Sequence, residues 1–323
     1  MLPEALKGRL RLPLLGAPMF IVSGPQLVIE QCRSGIVGSF PALNARPQGL
    51  LDDWLAEITE TLEAADSSVH PIAPFAVNQI CHPSNTRLEQ DVALCVKHRV
   101  PIVITSLSPP AEIVQAVHAY GGLVFHDVIN VRHAEKAAAQ GVDGLILVAA
   151  GAGGHAGSLS PFALVNEIRQ WFQGAIILSG AMANGDAVAG ALAMGADLAY
   201  MGTRFIATQE ANADPEYKQM LVESAAKDIV YSSLFTGVSG NYLAPSITRA
   251  GLDPKALPEA DKSTMNFEDL SSGTKAWKDI WGAGQGVGSI ESVKPVRDLV
   301  DQIAGEYQSR IDQLSENNWG RSR

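Results

Sequence analysis

The sequence predicts an α/β protein, a (β/α)8 TIM barrel with a small cap domain of helices and loops inserted after the eighth strand. Two observations support this prediction. Short apolar runs alternate with segments of helical periodicity from the N-terminus to about residue 207, and there are eight such runs. The alternation then stops between residues 208 and 274, where proline, glycine, serine and aspartate become frequent.

The predicted strands are nearly continuous apolar segments, as expected for parallel strands that are covered by helices. They are Leu12–Met19, Ile36–Phe40, Ile72–Asn78, Ile102–Ser106, Leu123–Asp127, Gly144–Ala149, Ala175–Ser179 and Leu198–Gly202. An open, doubly wound sheet would give the same alternation. The count of eight favours a closed barrel.

Between the strands lie segments in which alanine and charged residues recur at helical spacing, and several end at a glycine, which commonly stops a helix. The predicted helices are Pro25–Arg33, Gly49–Ala65, Leu88–His98, Ala111–Tyr120, Val131–Gln140, Pro161–Trp171 and Gly185–Met194. A strand followed by a helix is therefore the repeating unit, without a sequence repeat of fixed length.

We predict two domains from the break in this alternation. Residues 1–207 and 275–323 form the barrel domain, and residues 208–274 form a cap that contacts the substrate. Within the cap, a helix is predicted over Asp214–Lys227 and loop over Val238–Phe267. The C-terminal part then comprises Lys275–Trp281, a glycine-rich turn at Gly282–Gly288, a helix over Val293–Leu314 and a disordered tail, Ser315–Arg323.

The composition limits the classes of partner. The 323 residues carry a formal net charge of −10, without a dense run of lysine and arginine. Such an acidic chain is a poor partner for nucleic acid or an anionic membrane, and none of its apolar runs approaches the ~20 residues that span a bilayer. Three cysteines without CxxC spacing, and no histidine pair at metal-ligand spacing, predict a cytoplasmic protein without a metal site or disulfide.

Two strand ends predict a phosphate-binding site. The seventh strand ends in Ser179, Gly180 and Ala181, and the eighth ends before Gly202 and Thr203. In a TIM barrel the loops at this position commonly bind phosphate, because glycine allows close approach of the backbone and each loop leads into a helix N-terminus. Thr203 adds a hydroxyl donor. We therefore predict FMN as the cofactor; the alternative is that the glycines only form tight turns.

A glycine-rich loop presents a single imidazole after the sixth strand. The loop runs over Gly151–Gly157, and Gly154 precedes His155. Its small residues let the backbone approach a flat ring closely, and histidine, with an ordinary pKa of about 6.5, can remove a proton near neutral pH. We predict His155 as the catalytic base and Gly154 as a cofactor contact. The alternative is a solvent-exposed histidine in a flexible loop.

Other strand ends add candidate cofactor contacts. Ala17, Pro18 and Met19 would place a stiff turn and an adaptable thioether against a planar ring, although methionine is also a common core residue. Asn78 ends the third strand with an amide that can donate and accept hydrogen bonds at once, or that caps the following loop. His126 lies at the end of the fifth strand and is predicted to contact the cofactor.

Five short motifs follow one another along the chain, at Gly16–Met19, Gly153–Gly157, Ser179-Gly180 with Asn184-Gly185, Met201–Phe205 and Trp281–Gln285. With them the chain resembles the nitronate monooxygenase (2-nitropropane dioxygenase) family over nearly its full length. The resemblance implies an FMN-containing TIM barrel with a cap, in which His155 is the catalytic base. The matching flavin positions are Asn78, Ser179, Gly180, Gly202 and Thr203, with Gly284 and Gln285 in a C-terminal loop over the flavin.

The chain departs from the family pattern at two positions. Asp127 stands where some members carry a lysine beside the flavin. Ala181 replaces a frequent second glycine of the phosphate loop. The first departure bears on the local contact with the flavin ring, and the second bears on the phosphate site.

The resemblance also implies a reaction, the oxidative denitrification of nitronates or nitroalkanes by dioxygen to a carbonyl compound and nitrite. The partners are then a small nitro compound and dioxygen; the sequence leaves the oligomeric state open, with a homodimer as one option. Two alternatives are an NAD(P)H-dependent FMN oxidoreductase acting on quinones or enoyl thioesters, and a flavin-binding or sensory module without turnover. The imidazole argues against the sensory module, since binding alone needs no base.

Overall fold

All eight predicted strands are present, and they form one sheet. The computed structural model describes residues 1–258 and 280–316. Eight strands of this part of the chain form the large sheet and three short ones form a second sheet. In chain order they are β1 (Leu14–Gly16), β2 (Gly38–Pro41), β3 (Phe75–Cys81), β4 (Ile102–Leu107), β5 (Leu123–Val128), β6 (Gly144–Val148), β7 (Gly154–His155), β8 (Ala175–Ser179), β9 (Leu198–Met201), β10 (Ile229–Ser232) and β11 (Gly240–Leu243).

The large sheet closes into a barrel. Its strands pair in parallel in the order β1-β9-β8-β6-β5-β4-β3-β2. The two end strands then meet through a parallel bridge between Leu15 and Val37. Gly16 N donates to Val37 O at 2.8 Å, and Val37 N donates to Leu14 O at 3.1 Å. The prediction of a closed TIM barrel is therefore confirmed, and the open doubly wound sheet is wrong.

The helices predicted between the strands are also confirmed, with ends that differ by a few residues. Proline at the first helical turn and asparagine at the N-cap account for several starts: Asn130 and Asn184 each accept a hydrogen bond from the backbone three residues on, at 2.9 Å. The helices are α1 (Pro25–Arg33), α2 (Leu50–Glu63), α3 (Leu88–Lys97), α4 (Ala111–His118), α5 (Val131–Ala138), α6 (Pro161–Arg169), α7 (Gly185–Ala193), α8 (Thr203–Ile206), α9 (Pro215–Glu223), α10 (Ala244–Arg249) and α11 (Val296–Glu316).

The alternation of side chains along each strand separates two cores. One face of the barrel strands packs against the surrounding helices in the larger apolar cluster. The other face fills the barrel interior with a smaller cluster that includes Leu15, Val37, Ile104, Phe125, Ile146, Ile177 and Tyr200. Because successive side chains point to opposite faces, the residues two positions beyond this interior set also face inward at the carboxyl end of the barrel.

The segment after β9 differs from its prediction. A helix is present at Pro215–Glu223, inside the predicted range, and is followed by a short 3-10 turn at Ala226–Asp228. Loop was predicted from Val238 onward, but strand β11 and helix α10 lie there instead. Strand β11 pairs antiparallel with β10 and with β7, which belongs to the glycine-rich loop of the barrel. Because β7 lies far from β11 in the sequence, no local pattern indicates that these strands pair. The sequence-based prediction of this segment therefore did not include the sheet.

Some predicted features lie outside the described residues. These are residues 259–267 of the predicted loop, most of Lys275–Trp281, and the tail after Glu316; Ser315 and Glu316 themselves belong to α11. The division into a barrel at residues 1–207 and 275–323 and a cap at 208–274 stays a prediction. No helix in the described part of the chain combines the length and the apolar composition needed to cross a membrane.

The C-terminal helix α11 packs closely on α7. Gly185 N donates to Glu306 Oε2 at 2.8 Å, and Arg310 Nε donates to Asp186 Oδ1 at 2.8 Å. A Cβ at position 185 would overlap backbone atoms of Tyr307 and Ile303. Glycine is therefore the residue that lets the start of α7 touch the backbone of α11.

Replacing Gly185 by alanine is expected to destabilise the protein by about 1–3 kcal/mol, because the added methyl group forces the two helices apart. Thermal unfolding measures the effect as a lower midpoint. The matched control is Gly190→Ala in the same helix, where nothing lies within 4 Å of the added Cβ. Alanine favours helix, so the control midpoint should be unchanged or higher. Equal midpoints for the two variants would contradict the close packing of α7 on α11.

Candidate active site

A large cavity lies at the carboxyl ends of the barrel strands. Its volume is about 1400 Å³, whereas a typical small-ligand pocket occupies ~300–1,000 Å³, so there is room for a cofactor and a small substrate together. All but two of the predicted site residues line it. They are Ala17, Pro18, Met19, Asn78, Gly154, His155, Ser179, Gly180, Ala181, Gly202, Thr203 and Gly284.

The two other predicted residues, His126 and Gln285, are not among the residues that line the cavity. His126 is 3% exposed, and its Nδ1 lies 2.8 Å from Thr105 Oγ1. Phe125 belongs to the barrel interior, so the next side chain along β5 faces the helices. The geometry therefore gives no support to a cofactor contact of His126. Gln285 supports the glycine-rich loop instead, since its backbone N donates to Gly151 O at 2.9 Å.

His155 is held in a strand. Residues Gly154 and His155 form β7 and pair with Asn241 and Gly240 of β11. The imidazole is half-buried, and its Nε2 lies 2.9 Å from Thr236 Oγ1. Burial lowers the pKa of His155 to about 4. The side chain is therefore neutral at neutral pH, and it is not the exposed histidine of a flexible loop.

Two glycine-containing loops interlock beside this strand. Gly284 N donates to Thr203 Oγ1 at 2.9 Å, and a Cβ on Gly284 would lie 2.7 Å from Gly151 O. Asn241 adds a hydrogen bond from its Nδ2 to Ala152 O at 2.6 Å. The loop before β7, the loop after Trp281 and the start of α8 consequently form one connected wall.

The predicted phosphate loops both line the cavity, but their donors differ from the expectation. Two N–H groups at the start of helix α7 already have acceptors in the protein, since Gly185 N donates to Glu306 Oε2 and Ala187 N donates to Asn184 Oδ1. Ala181 adopts a left-handed conformation with φ +54°, and its N–H donates to Gly151 O at 3.2 Å. The remaining candidate donors for an anion are at Gly180, Gly202 and the hydroxyl of Thr203. The oxygen of this hydroxyl already accepts a hydrogen bond from Gly284 N.

A chain of polar side chains crosses the floor of the cavity. Asn78 Nδ2 donates to Ser106 Oγ at 2.9 Å, and Ser106 Oγ donates to Asp127 Oδ2 at 2.6 Å. Asp127 Oδ1 is buried and has no hydrogen-bond partner among the described residues. Burial raises the pKa of Asp127 to about 6, and the hydrogen bond from Ser106 opposes this rise. A buried acceptor without a partner fits a ligand that brings an N–H group, as the ring of a flavin does.

Ser106 and Tyr200 were missed by the sequence-based prediction, although a signal for them exists. Both follow interior residues at a spacing of two along their strands, at the same end of the barrel. Thr236 was also missed, and no local pattern indicates it. The same is true of a stack at the cavity wall in which Arg249 lies 3.6 Å above the Trp281 ring and Trp281 stacks on Tyr217.

The described residues contain no group of three or more histidine, cysteine, aspartate or glutamate side chains placed to hold a metal ion. The family model described as nitronate monooxygenase matches residues 22–306, a span that includes His155 and the loops after β8 and β9. The chain belongs to the nitronate monooxygenase family. It is thus an enzyme, an oxidoreductase of a flavin-dependent family, and its membership supports the oxidation of nitronates in general terms.

Individual relatives are distant. The nitronate monooxygenase of Paraburkholderia phytofirmans is 26% identical over 94% of both chains. A (3aS,4S,5R,7aS)-5-hydroxy-7a-methyl-1-oxo-octahydro-1H-indene-4-carboxyl-CoA dehydrogenase of Rhodococcus jostii is 24% identical, again over 94% of both. The nitroalkane oxidase structure from Streptomyces ansochromogenes has a TM-score of 0.80 at 22% identity and covers 96% of this chain and 100% of that one. This structural likeness concerns the fold.

We expect the His155 imidazole to remain neutral between about pH 5 and pH 7 in the flavin-free protein, where an unperturbed histidine would titrate. The reason is burial, which lowers its pKa to about 4 and delays protonation until the pH falls near that value. A ¹⁵N NMR titration measures the transition, and the His155→Asn variant identifies the signal by its loss. A midpoint at the ordinary value would contradict the buried position of the ring.

Proposed function

We propose that the enzyme binds FMN and oxidises nitronates with dioxygen to a carbonyl compound and nitrite, and that it accepts nitroalkanes after His155 removes their α-proton. The observation that carries this proposal is the neutral imidazole of His155, fixed by β7 at the wall of a cavity of about 1400 Å³. A neutral imidazole can accept a proton, and the cavity has room for a ring system beside a small substrate.

The residues present fit FMN. Gly180, Gly202 and Thr203 would hold the phosphate, and Ala17, Pro18 and Met19 would pack against the ring. Asn78, Ser106 and Asp127 would meet its polar edge, where the unpartnered Asp127 Oδ1 can accept a hydrogen bond. Bound FMN supplies the redox chemistry that joins nitronate oxidation to dioxygen.

The protein's own part is to bind, orient and deprotonate the substrate. Around His155, the interlocked loops and the cap sheet restrict access of water to the imidazole. The imidazole takes the proton from the carbon next to the nitro group, which leaves a nitronate. We propose the cytoplasm as the compartment, in keeping with three buried, free cysteines.

Replacing His155 by asparagine is expected to reduce kcat/KM for neutral nitroalkanes by about 10²–10⁴-fold, the usual contribution of a general base. Preformed nitronates need no deprotonation, so their oxidation should be largely retained. Nitrite release in air measures both reactions. His118→Asn, which removes an imidazole from a helix outside the cavity, is the control. An equal loss on nitroalkanes and nitronates would remove His155 from the role of base.

Replacing Thr203 by valine is expected to weaken FMN binding by about tenfold to a hundredfold, because a hydrogen bond to a charged group contributes ~1.5–3 kcal/mol. Riboflavin lacks the phosphate, so its affinity should change much less. Quenching of flavin fluorescence measures both affinities, and Thr248→Val, at an exposed position of helix α10, is the control variant. Equal weakening of FMN and riboflavin would show that the phosphate does not bind at Thr203.

One rival function has support from a relative. The similar protein from Rhodococcus jostii is named as a carboxyl-CoA dehydrogenase. An NAD(P)H-dependent FMN oxidoreductase acting on quinones or enoyl thioesters would use the same barrel. The two functions differ in what reduces the flavin. Anaerobic bleaching of the bound flavin by a nitronate supports the nitronate function, whereas bleaching only by NADH or NADPH supports the rival.

A further inference from the structure

Four apolar side chains line the cavity and remain exposed. They are 39–44% exposed, unlike the buried apolar side chains that fill the barrel interior, and they are Ile21, Leu107, Ile129 and Leu252. A single exposed apolar side chain is ordinary on a protein surface, but several around one cavity are typical of a binding site for an apolar group. These four residues give the cavity an accessible apolar surface in addition to its polar floor.

Two of these residues have an unfavourable backbone conformation. The angle φ is +67° at Ile21 and +79° at Leu107, in the left-handed region that β-branched and bulky residues rarely adopt. Two asparagine side chains fix Ile21 there, since Ile21 N donates to Asn44 Oδ1 at 2.9 Å and Asn212 Nδ2 donates to Ile21 O at 3.0 Å. Backbone strain of this kind is concentrated at binding and catalytic sites. Because the Ile21 side chain is also partly exposed, it presents an apolar surface that a ligand can contact.

The apolar residues stand on opposite sides of the cavity. Leu107 is the last residue of β4 and Ile129 directly follows β5, and these two strands are neighbours in the barrel. Ile21 follows β1, and three strands separate β1 from β5 in either direction around the barrel. Ile129 also packs against the loop that carries His155, because a Cβ on Gly157 would lie 3.1 Å from Ile129 Cβ. A ligand that contacts both sides therefore spans the cavity next to this loop.

The charged side chains at the cavity wall interact with one another. Glu216 Oε2 lies 2.9 Å from Arg249 Nη1, and the guanidinium of Arg249 lies 3.6 Å above the Trp281 ring. Asp214, which also lines the cavity, accepts a hydrogen bond from Glu216 N at 2.8 Å. Two carboxylates and one guanidinium leave a net negative charge, which disfavours an anionic group at the far end of a ligand. This wall therefore favours an apolar end group over an acidic one.

We propose that Ile21, Leu107 and Ile129 bind an unbranched, uncharged apolar chain of the substrate, so that the enzyme prefers long-chain to short-chain compounds. The cavity volume of about 1400 Å³ leaves room for such a chain beside a cofactor. That the chain-bearing compound is a nitronate or nitroalkane rests on the proposed function, whereas the chain subsite itself does not depend on the reacting group.

The test uses the full-length, FMN-loaded enzyme and straight-chain carboxylates from acetate to octanoate, which are unreactive and share a planar anionic end with nitronates. Isothermal titration calorimetry measures each affinity. We expect the affinity to rise about fourfold for each CH₂ group that enters the subsite, because water is removed from apolar surface on both partners. Suberate has the same number of carbons as octanoate but a second carboxylate, and it should bind more weakly than octanoate.

Replacing Ile21 by asparagine is expected to weaken octanoate binding about tenfold, as the loss of burial of about two CH₂ groups would, and acetate binding much less. Asparagine tolerates a positive φ, so the thermal unfolding midpoint of this variant should not fall. Leu107→Asn should act in the same direction. The control is Leu314→Asn, at an exposed position of α11 outside the cavity, which should change neither affinity.

The proposal is overturned if the affinity does not rise with chain length, if suberate binds as tightly as octanoate, or if Ile21→Asn and Leu107→Asn both leave octanoate binding unchanged. It is also overturned if Ile21→Asn weakens FMN binding as much as octanoate binding, because Ile21 would then contact the flavin. Absence of any nitro-compound oxidation in air would overturn the proposed function, and the carboxylate affinities would still decide the chain subsite.

Discussion

The pairing of β7 with β11 joins the segment that follows β9 to the glycine-rich loop of the barrel, and the candidate active site depends on this pairing. Through this pairing Gly154 and His155 become part of the three-stranded sheet β10-β11-β7. The contact is a backbone contact between glycines, since Gly240 has no room for a Cβ against Gly154 O. Because a strand has a defined register, the position and direction of the His155 side chain follow from the pairing, and a glycine-rich loop that would be mobile by composition becomes a fixed support for an imidazole.

The barrel contributes the other half of the site through the alternation of its strands. Closure between β1 and β2 directs one face of every strand toward a common axis. At the carboxyl end this face changes from apolar side chains to Asn78, Ser106 and Asp127, which form a hydrogen-bonded chain. Each of these three polar residues lies two positions after an apolar residue of the barrel interior on the same strand, so the floor of the cavity continues the inward-facing side of the strands. His126 falls on the opposite face for the same reason.

Burial acts on the two ionisable groups of the site in opposite directions. It lowers the pKa of His155 to about 4 and raises that of Asp127 to about 6, because in both cases the charged form is disfavoured. At neutral pH the imidazole is uncharged and remains able to accept a proton. The carboxyl group is close to its titration range and has an oxygen without a partner. In both groups the largest cause of the pKa shift is burial, and for Asp127 the hydrogen bond from Ser106 opposes it.

The sequence by itself determined the barrel, its eight strands and helices, and the strand ends that line the cavity. These features depend on local apolar periodicity and on the rule that the carboxyl ends of parallel strands lie together at one end of the barrel, so the sequence is sufficient to predict them. Only the tertiary structure decided the sheet of β7, β10 and β11 and the contact of Thr236 with His155. It also decided the burial of His126 away from the cavity and the hydrogen bond from Gly185 N, at the start of α7, to Glu306. Each of these depends on contacts between residues far apart in sequence, or on which face of a strand is turned inward, and local composition does not specify either.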